Sequence, residues 1–281
     1  MAIPDALITR PRRAIADRLR RLVGSGEVDL ARSPGDPGLI ASDSPAWRVH
    51  GDFAAMMIGG IAALLLQMLH PRALAGVWDH SDFRRDRLGR LKRTAQFIAV
   101  TTFGGADAAD RAIAKVRSIH DRVHGALPDG TPYDANDPEL LTWIHVAEVD
   151  SFLRAYLRYR DASLSTVEQD RYFADVAIVA ERLGARDVPR SRAEVAAYFA
   201  RLRPHLRFDH RVREVADALL APGEDAATAA GLSIAGAAAV DLLPDWAAAM
   251  HRRQPNPLLR PAIRTGAGGL SRMVRWSLRL R

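Results

Sequence analysis

The sequence predicts an all-α protein, a single globular multi-helix domain built around a buried central hydrophobic helix. Apolar residues recur at three- and four-residue spacing between breaks at Gly, Pro and Asp, which is typical of helices that bury one face. No segment shows the sustained apolar and polar alternation of a half-buried strand. With 281 residues and 48% hydrophobic content, the chain is long enough to bury one large core.

Composition divides the chain into three regions. Residues 1–46 are predicted to form a basic N-terminal helix and a loop rich in Gly, Pro, Ser and Asp. Residues 47–254 hold the main helical domain, and residues 255–281 form a basic tail with a short helix packed on that domain.

The most hydrophobic segment runs from Phe53 to Leu69, with Gln67 as its one clearly polar residue. Seventeen residues is at the short limit for crossing a bilayer, and Gly59 and Gly60 weaken the segment further as a span. A helix buried on all sides has the same composition. We therefore expect the central core helix here and no transmembrane segment.

The other helices follow from periodicity and from their end signals. Asp137 with Pro138 places proline at a first helical position, Ser165 begins a capping box, and Gly125 and Gly184 are expected to end helices. The predicted helices cover residues 86–103, 107–125, 137–160, 165–183, 191–203, 208–220 and 225–240.

Composition also excludes several kinds of site. The chain has no cysteine, so disulfides, thiolate nucleophiles and cysteine-held metals are excluded, and any metal must be bound by His, Asp or Glu. The first thirteen residues are broken by Pro4, Asp5 and Pro11, unlike a secretory signal, which predicts a cytoplasmic protein.

A formal charge of +7 is a property of many proteins that bind nucleic acids or anionic membranes. However, two of the forty basic residues are lysine and arginine recurs throughout, which favours compositional bias and solvated helix faces. We expect no nucleic-acid partner. A weak membrane-surface contact through the helix around Trp276 stays open, and the sequence indicates no particular oligomeric state.

Histidines concentrate between His70 and Tyr159. On a continuous helix, His120 and His124 would share one face, but Asp121 stands where a zinc-protease signature needs glutamate. Two i, i+3 pairs, Asp121 with His124 and His145 with Glu148, are too few donors for a di-iron carboxylate centre, so a non-haem metal oxygenase is a remote alternative.

Arg90, Arg93 and Thr94 share a helix face that precedes the histidine helix. Such an arrangement suits a haem pocket, because one neutral imidazole can ligate the iron while guanidinium and hydroxyl groups bind propionates or dioxygen. Spacing alone, however, favours a solvated face for the two arginines.

Four stretches occur in order: LLLQMLHPRALAGVWDHSDF (64–83), RLGRLKRTAQFIAVTTFG (87–104), VRSIHDRVHG (116–125) and PYDANDPELLTWIHVAEVDSFLRAYLRY (132–159). Together they resemble the family of MpaB-type oxygenases and the catalytic domain of bacterial rubber oxygenase, also known as a domain of unknown function widespread in actinobacteria. A weaker likeness extends over residues 243–246.

The resemblance implies an all-helical fold that binds haem b. Carried over by position, it makes His120 the axial iron ligand, with His124 as the runner-up, and it places Arg90 and Thr94 near the haem. His145 has either a supporting role in the pocket or the ordinary role of a core histidine.

Two departures from the rubber-cleaving branch bear on mechanism. Arg93 stands where that branch has a lysine that approaches the iron, and a guanidinium has no lone pair to donate, so the sixth site is expected to hold water or nothing. That branch also uses a glutamate base upstream, where this chain has Asp79, Asp82 and Asp86. Polyisoprene is therefore disfavoured as the substrate.

The leading hypothesis is a haem-b-dependent oxygenase-like oxidoreductase that acts on a small apolar or biosynthetic substrate with dioxygen. Arg90, Arg93 and Thr94 are its candidate catalytic residues, with Arg93 stabilising developing negative charge. The alternative is a non-catalytic, haem-binding or regulatory helical protein.

Overall fold

The computed structural model describes residues 30, 32–33, 35–84, 86–222 and 226–278, without the side chains of residues 87, 88, 90, 226 and 227. Within that part lie one short 3₁₀ turn (Arg203–His205), a two-stranded hairpin of β1 (His124–Ala126) and β2 (Pro132–Asp134), and twelve α-helices: α1 (Pro45–Gly51), α2 (Phe53–Gln67), α3 (Pro71–His80), α4 (Arg87–Phe103), α5 (Ala106–His120), α6 (Pro138–Tyr159), α7 (Thr166–Leu183), α8 (Arg192–Leu202), α9 (His210–Leu220), α10 (Ala226–Leu242), α11 (Asp245–Met250) and α12 (Arg260–Leu278). The all-α prediction is confirmed. The predicted basic N-terminal helix lies outside the described residues.

The central helix is α2, and it packs against the long helix α6. Asp52 begins α2 by accepting a hydrogen bond from the Ala55 amide, 3.0 Å away. A Cβ atom on Gly59 would lie 2.9 Å from the Ser151 carbonyl oxygen, so a glycine is needed where the two helices touch. The Gln67 side chain donates to the Ile144 carbonyl at 3.1 Å, which satisfies the one polar group of the helix.

No single helix in the described ranges has both the length and the apolar character to cross a bilayer, although the pair α1 and α2, bent by 86° at their junction, meets those criteria jointly.

One prediction about the histidine helix is wrong. Helix α5 ends at His120, and His124 begins β1, so the two histidines do not share a helix face. Gly125 is likewise not a helix terminator but the partner of Tyr133 in the antiparallel hairpin. The hairpin turns at Asp129 and Gly130, whose φ of 85° suits glycine, and this Asp-Gly pair is the sequence signal that outweighs the helical periodicity.

Gly125 also has a packing role. A Cβ at this position would lie 2.7 Å from the Tyr133 hydroxyl oxygen, so only a glycine lets the buried tyrosine lie across β1.

Helix α12 is longer than the short tail helix predicted, and two buried carboxylates attach it to the core. Arg264 Nε lies 2.8 Å from Asp241, and Arg275 Nη1 lies 3.1 Å from Asp52. Asp241 also binds Arg158 of α6, at 3.2 Å. We call this set of Asp52, Asp241 and their arginines the C-terminal clamp; its further members are Arg160 and Arg260.

Candidate functional site

Helices α1 to α7 and the hairpin surround a cavity of about 500 Å³, within the size range of small-molecule sites. Four histidines line it, and we call it the histidine cavity. Its histidines are His50, His80, His120 and His145, and its larger apolar residues include Val77, Phe97, Ile98, Ile144, Val149 and Phe152. The cavity combines an apolar wall with a few nitrogen donors, as expected of a site for a largely apolar molecule.

His120 is the last residue of α5 and lines the cavity. Burial lowers the pKa of its imidazole below the ordinary value of 6.5, while the nearby Asn136 side chain raises it again in part. The ring is therefore neutral at pH 7 and keeps a lone pair. Its Nδ1 atom is buried and makes no hydrogen bond of good geometry to a described residue.

His145 lies on α6 and lines the same cavity. Burial lowers its pKa to about 4, and its Nε2 atom is buried without a hydrogen-bonding partner among the described residues. A buried imidazole with an unused nitrogen is a candidate partner for a bound molecule, since buried polar groups are normally satisfied.

His50, at the end of α1, is a cavity residue that the sequence analysis did not identify. Its Nδ1 lies 2.8 Å from the Thr102 hydroxyl and its Nε2 lies 3.0 Å from the Tyr172 hydroxyl. Burial, together with the nearby His145, lowers the pKa of His50 to about 3. Its partners are 52 and 122 residues away, so no local spacing could have revealed this arrangement.

The predicted arginine face is divided. Arg93 and Thr94 both line the cavity, but Arg93 lies at its edge, 65% exposed, and pairs with Asp86 at 3.0 Å. The side chain of Arg90 lies outside the described part of the structure, so its role stays a prediction. His124 is exposed on β1 and is not a cavity residue.

A second group of polar residues lies beside the cavity at the hairpin, where His80 and Tyr133 line it. The Tyr133 hydroxyl donates to Asp79 Oδ2 at 2.6 Å, and His80 Nε2 lies 3.1 Å from the same hydroxyl. Burial and the Asp79 carboxylate raise the pKa of Tyr133 to about 12, so the phenol stays protonated. The sequence analysis noted Asp79 but missed Tyr133, whose sequence signal is the glycine paired with it in the hairpin.

The donors around the cavity fit a group that needs one protein ligand. Among the described residues no three or more His, Asp or Glu side chains come together as a metal site. Haem iron can be held by one imidazole, and His120, which is neutral and lines the cavity, would be the residue that holds it. The pairs Asp121 with His124 and His145 with Glu148 form no such cluster.

Comparison with family models identifies the chain. Residues 47–276 match the model described as ER-bound oxygenase mpaB/B'/Rubber oxygenase, catalytic domain. The chain belongs to this family. The match extends the resemblance seen in the sequence to both ends of the helical domain and includes most of α12. No curated protein and no solved structure gives a significant match to the chain.

Proposed function

We propose that this member of the mpaB/rubber oxygenase family is a haem-b-dependent oxygenase whose substrate is a small apolar molecule bound in the histidine cavity. The observation that carries the proposal is the neutral His120 imidazole at the wall of an apolar cavity, in a chain that belongs to an oxygenase family. Bound haem would supply the dioxygen chemistry.

His120 would hold the haem iron. Its low pKa keeps the lone pair free at neutral pH, so no proton has to be displaced before binding. His124 is the weaker candidate, since it is exposed on β1 and outside the cavity.

The other cavity residues position the substrate and exclude water. Phe97, Ile144 and Phe152 supply an apolar surface, which favours substrates with little polar area. The Thr94 hydroxyl can donate a hydrogen bond inside the cavity, whereas Arg93 acts at the edge, where its pairing with Asp86 holds the guanidinium. We assign Arg93 the stabilisation of negative charge that develops during the reaction.

We infer that the substrate is a compact terpenoid or a short lipid rather than a polymer, because the wall of the cavity is largely apolar. This agrees with the absence of the lysine and glutamate that the rubber-cleaving branch uses.

Absorbance spectroscopy tests the haem. After haem-replete expression, the purified protein is expected to show a Soret band that His120→Ala abolishes and His124→Ala leaves unchanged. The two substitutions are matched, because they remove the same side chain inside and outside the cavity. A Soret band that survives in His120→Ala and disappears in His124→Ala or His145→Ala would reassign the ligand, and absence of the band in the wild type would refute the haem.

Turnover separates an oxygenase from the non-catalytic haem-binding alternative. The ferrous protein is expected to consume dioxygen in the presence of unsaturated lipids or terpenoids, with mass increases in the product. Reversible oxygen binding without consumption across that panel would favour a haem-binding regulatory protein.

A further inference from the structure

Asn136 lies immediately after the hairpin, where the chain returns to the end of α5. The Ala135 amide donates to the Val123 carbonyl at 2.9 Å, and this bond brings residue 136 back beside the last turn of the helix. An asparagine that follows His120 by sixteen residues is thus placed next to it by the hairpin.

Both amide hydrogens of Asn136 are directed at oxygen atoms that can only accept. Asn136 Nδ2 lies 2.8 Å from Asp121 Oδ1 and 3.4 Å from the Arg117 carbonyl oxygen. A carboxylate and a carbonyl have no proton to donate, so the nitrogen of the amide must be on this side. The Oδ1 atom consequently faces the other way.

Two buried atoms in this corner lack a well-formed bond. Asn136 Oδ1 and His120 Nδ1 are each shielded from solvent without a hydrogen-bonding partner of good geometry among the described residues. The Asn136 side chain is nevertheless close enough to raise the pKa of the ring. If the ring nitrogen carries a proton, it can donate a hydrogen bond to the amide oxygen. Both unsatisfied atoms then have a partner.

We propose that Asn136 is a positioning residue that accepts a hydrogen bond from His120 Nδ1–H and so fixes the tautomer in which Nε2 carries the lone pair. The inference rests on the proposed function for the use of that lone pair as an iron ligand. Such partners on the far side of a ligating imidazole set its tautomer, its orientation and its basicity.

The end of α5 makes this arrangement possible. Because the helix ends at His120, the chain turns back through the hairpin and brings Asn136 to the last turn of the helix. The Asp121 carboxylate and the Arg117 carbonyl together hold the amide in one orientation, so it cannot rotate to present a donor to the ring.

Nitrogen-15 NMR of the haem-free, full-length protein tests the tautomer without any haem. Imidazole nitrogens with and without a proton have well separated shifts, and the His120 pair is assigned by its loss in His120→Gln. At pH 7.5 we expect a protonated Nδ1 and an unprotonated Nε2. A predominantly protonated Nε2 in the wild type would overturn the proposal.

Two substitutions test whether Asn136 acts on His120 as a hydrogen-bond acceptor or has only a structural role. Asn136→Asp keeps an oxygen for His120 and loses both Nδ2 bonds, so the wild-type tautomer is expected to persist. Asn136→Leu removes the acceptor as well, so a protonated Nε2 is expected to become the main form. Equal behaviour of the two variants would refute the acceptor role, and the wild-type spectrum decides the question if the leucine variant does not fold.

Asn256→Leu is the matched control, since Asn256 accepts from the Leu258 amide in a loop far along the chain from His120. It is expected to leave the His120 shifts unchanged. In haem-loaded protein, Asn136→Leu is expected to weaken haem retention by about 10- to 100-fold. A wild type with the expected tautomer and no haem would refute the proposed function and leave the Asn136 assignment intact.

Discussion

The histidine cavity and the C-terminal clamp bury polar groups in opposite ways. In the clamp, the fully buried Asp241 carboxylate is bonded to Arg158 and Arg264, and Asp52 is bonded to Arg275. In the cavity, His120 and His145 are partly buried neutral rings, each with one buried nitrogen that lacks a well-formed bond. The clamp pairs its two carboxylates with guanidinium groups of the protein, whereas the cavity leaves two imidazole nitrogens for another molecule.

This difference follows from what each region has to do. A buried carboxylate must be paired, because an isolated charge in the interior is costly, and the pairing attaches α12 to the core. A neutral imidazole costs less to bury, so it can stay incompletely bonded until a ligand arrives.

The largest expected effect comes from breaking the clamp. Asp241→Asn leaves three guanidinium groups without their carboxylate and is expected to lower the free energy of unfolding by about 2–4 kcal/mol, since these groups are 31–45% exposed and can turn partly to water. Urea unfolding followed by circular dichroism measures it. Asp245→Asn is the matched control, because that carboxylate is 92% exposed and also faces Arg260, and its expected cost is at most about 1 kcal/mol. Equal costs would show that the clamp is not a stabilising device.

The next largest effect on stability is expected at the hairpin, where Gly125 packs against the cavity residue Tyr133. Gly125→Ala forces its Cβ against the Tyr133 ring and is expected to lower the free energy of unfolding by about 1–3 kcal/mol. Gly269→Ala on α12, where a Cβ meets nothing within 4 Å, is expected to be neutral or stabilising by up to about 1 kcal/mol. Similar values for both glycines, measured by urea unfolding, would argue against the close contact in the hairpin.

A smaller effect is expected in the pH dependence of stability, which tests whether His145 is buried as a neutral ring. The pKa of His145 is about 4 in the folded protein against 6.5 in an unfolded chain, so the unfolded state binds the extra proton between these values. Stability is therefore complete above pH 6.5 and is lost as the pH falls toward 4. His145→Leu is expected to reduce this slope by up to about 1.4 kcal/mol per pH unit in haem-free protein. Unfolding midpoints at pH 7.5, 6 and 5 provide the measurement, and an unchanged slope would contradict burial as the cause.

The smallest effect is expected at the edge of the cavity. Arg93→Gln removes an exposed pair with Asp86, so the unfolding midpoint is expected to stay at the wild-type value. Turnover of the oxygenase reaction is expected to fall, because the guanidinium is assigned to charge stabilisation. A shifted midpoint with normal turnover would make Arg93 a structural residue.

Local patterns predicted most of the fold. The buried helix that begins at Phe53, the proline start at Pro138 and the capping box at Ser165 are as expected, because each depends on neighbours within a few residues. The end of α5 was predicted wrongly, since helical periodicity continues through His124 while the Asp-Gly turn that ends it lies downstream.

The site was predictable only in part. His120, His145 and Thr94 were identified and line the cavity. His50 and Asn136 were missed, because their roles depend on contacts that the tertiary fold creates. His124 stays the runner-up ligand of the prediction, although its four-residue separation from His120 places the two on one face only in a continuous helix. The division into residues 1–46, 47–254 and 255–281 stays a prediction.

The close contact between Gly125 and Tyr133 has an evolutionary consequence. The glycine cannot gain a side chain while the tyrosine is present, and the tyrosine holds Asp79 and His80 beside the cavity. Substitutions at the two positions are therefore expected to be correlated among related chains, with a larger residue at 125 accompanied by a smaller one at 133. The size of the residue at position 125 would then indicate the size of the cavity-lining residue at position 133.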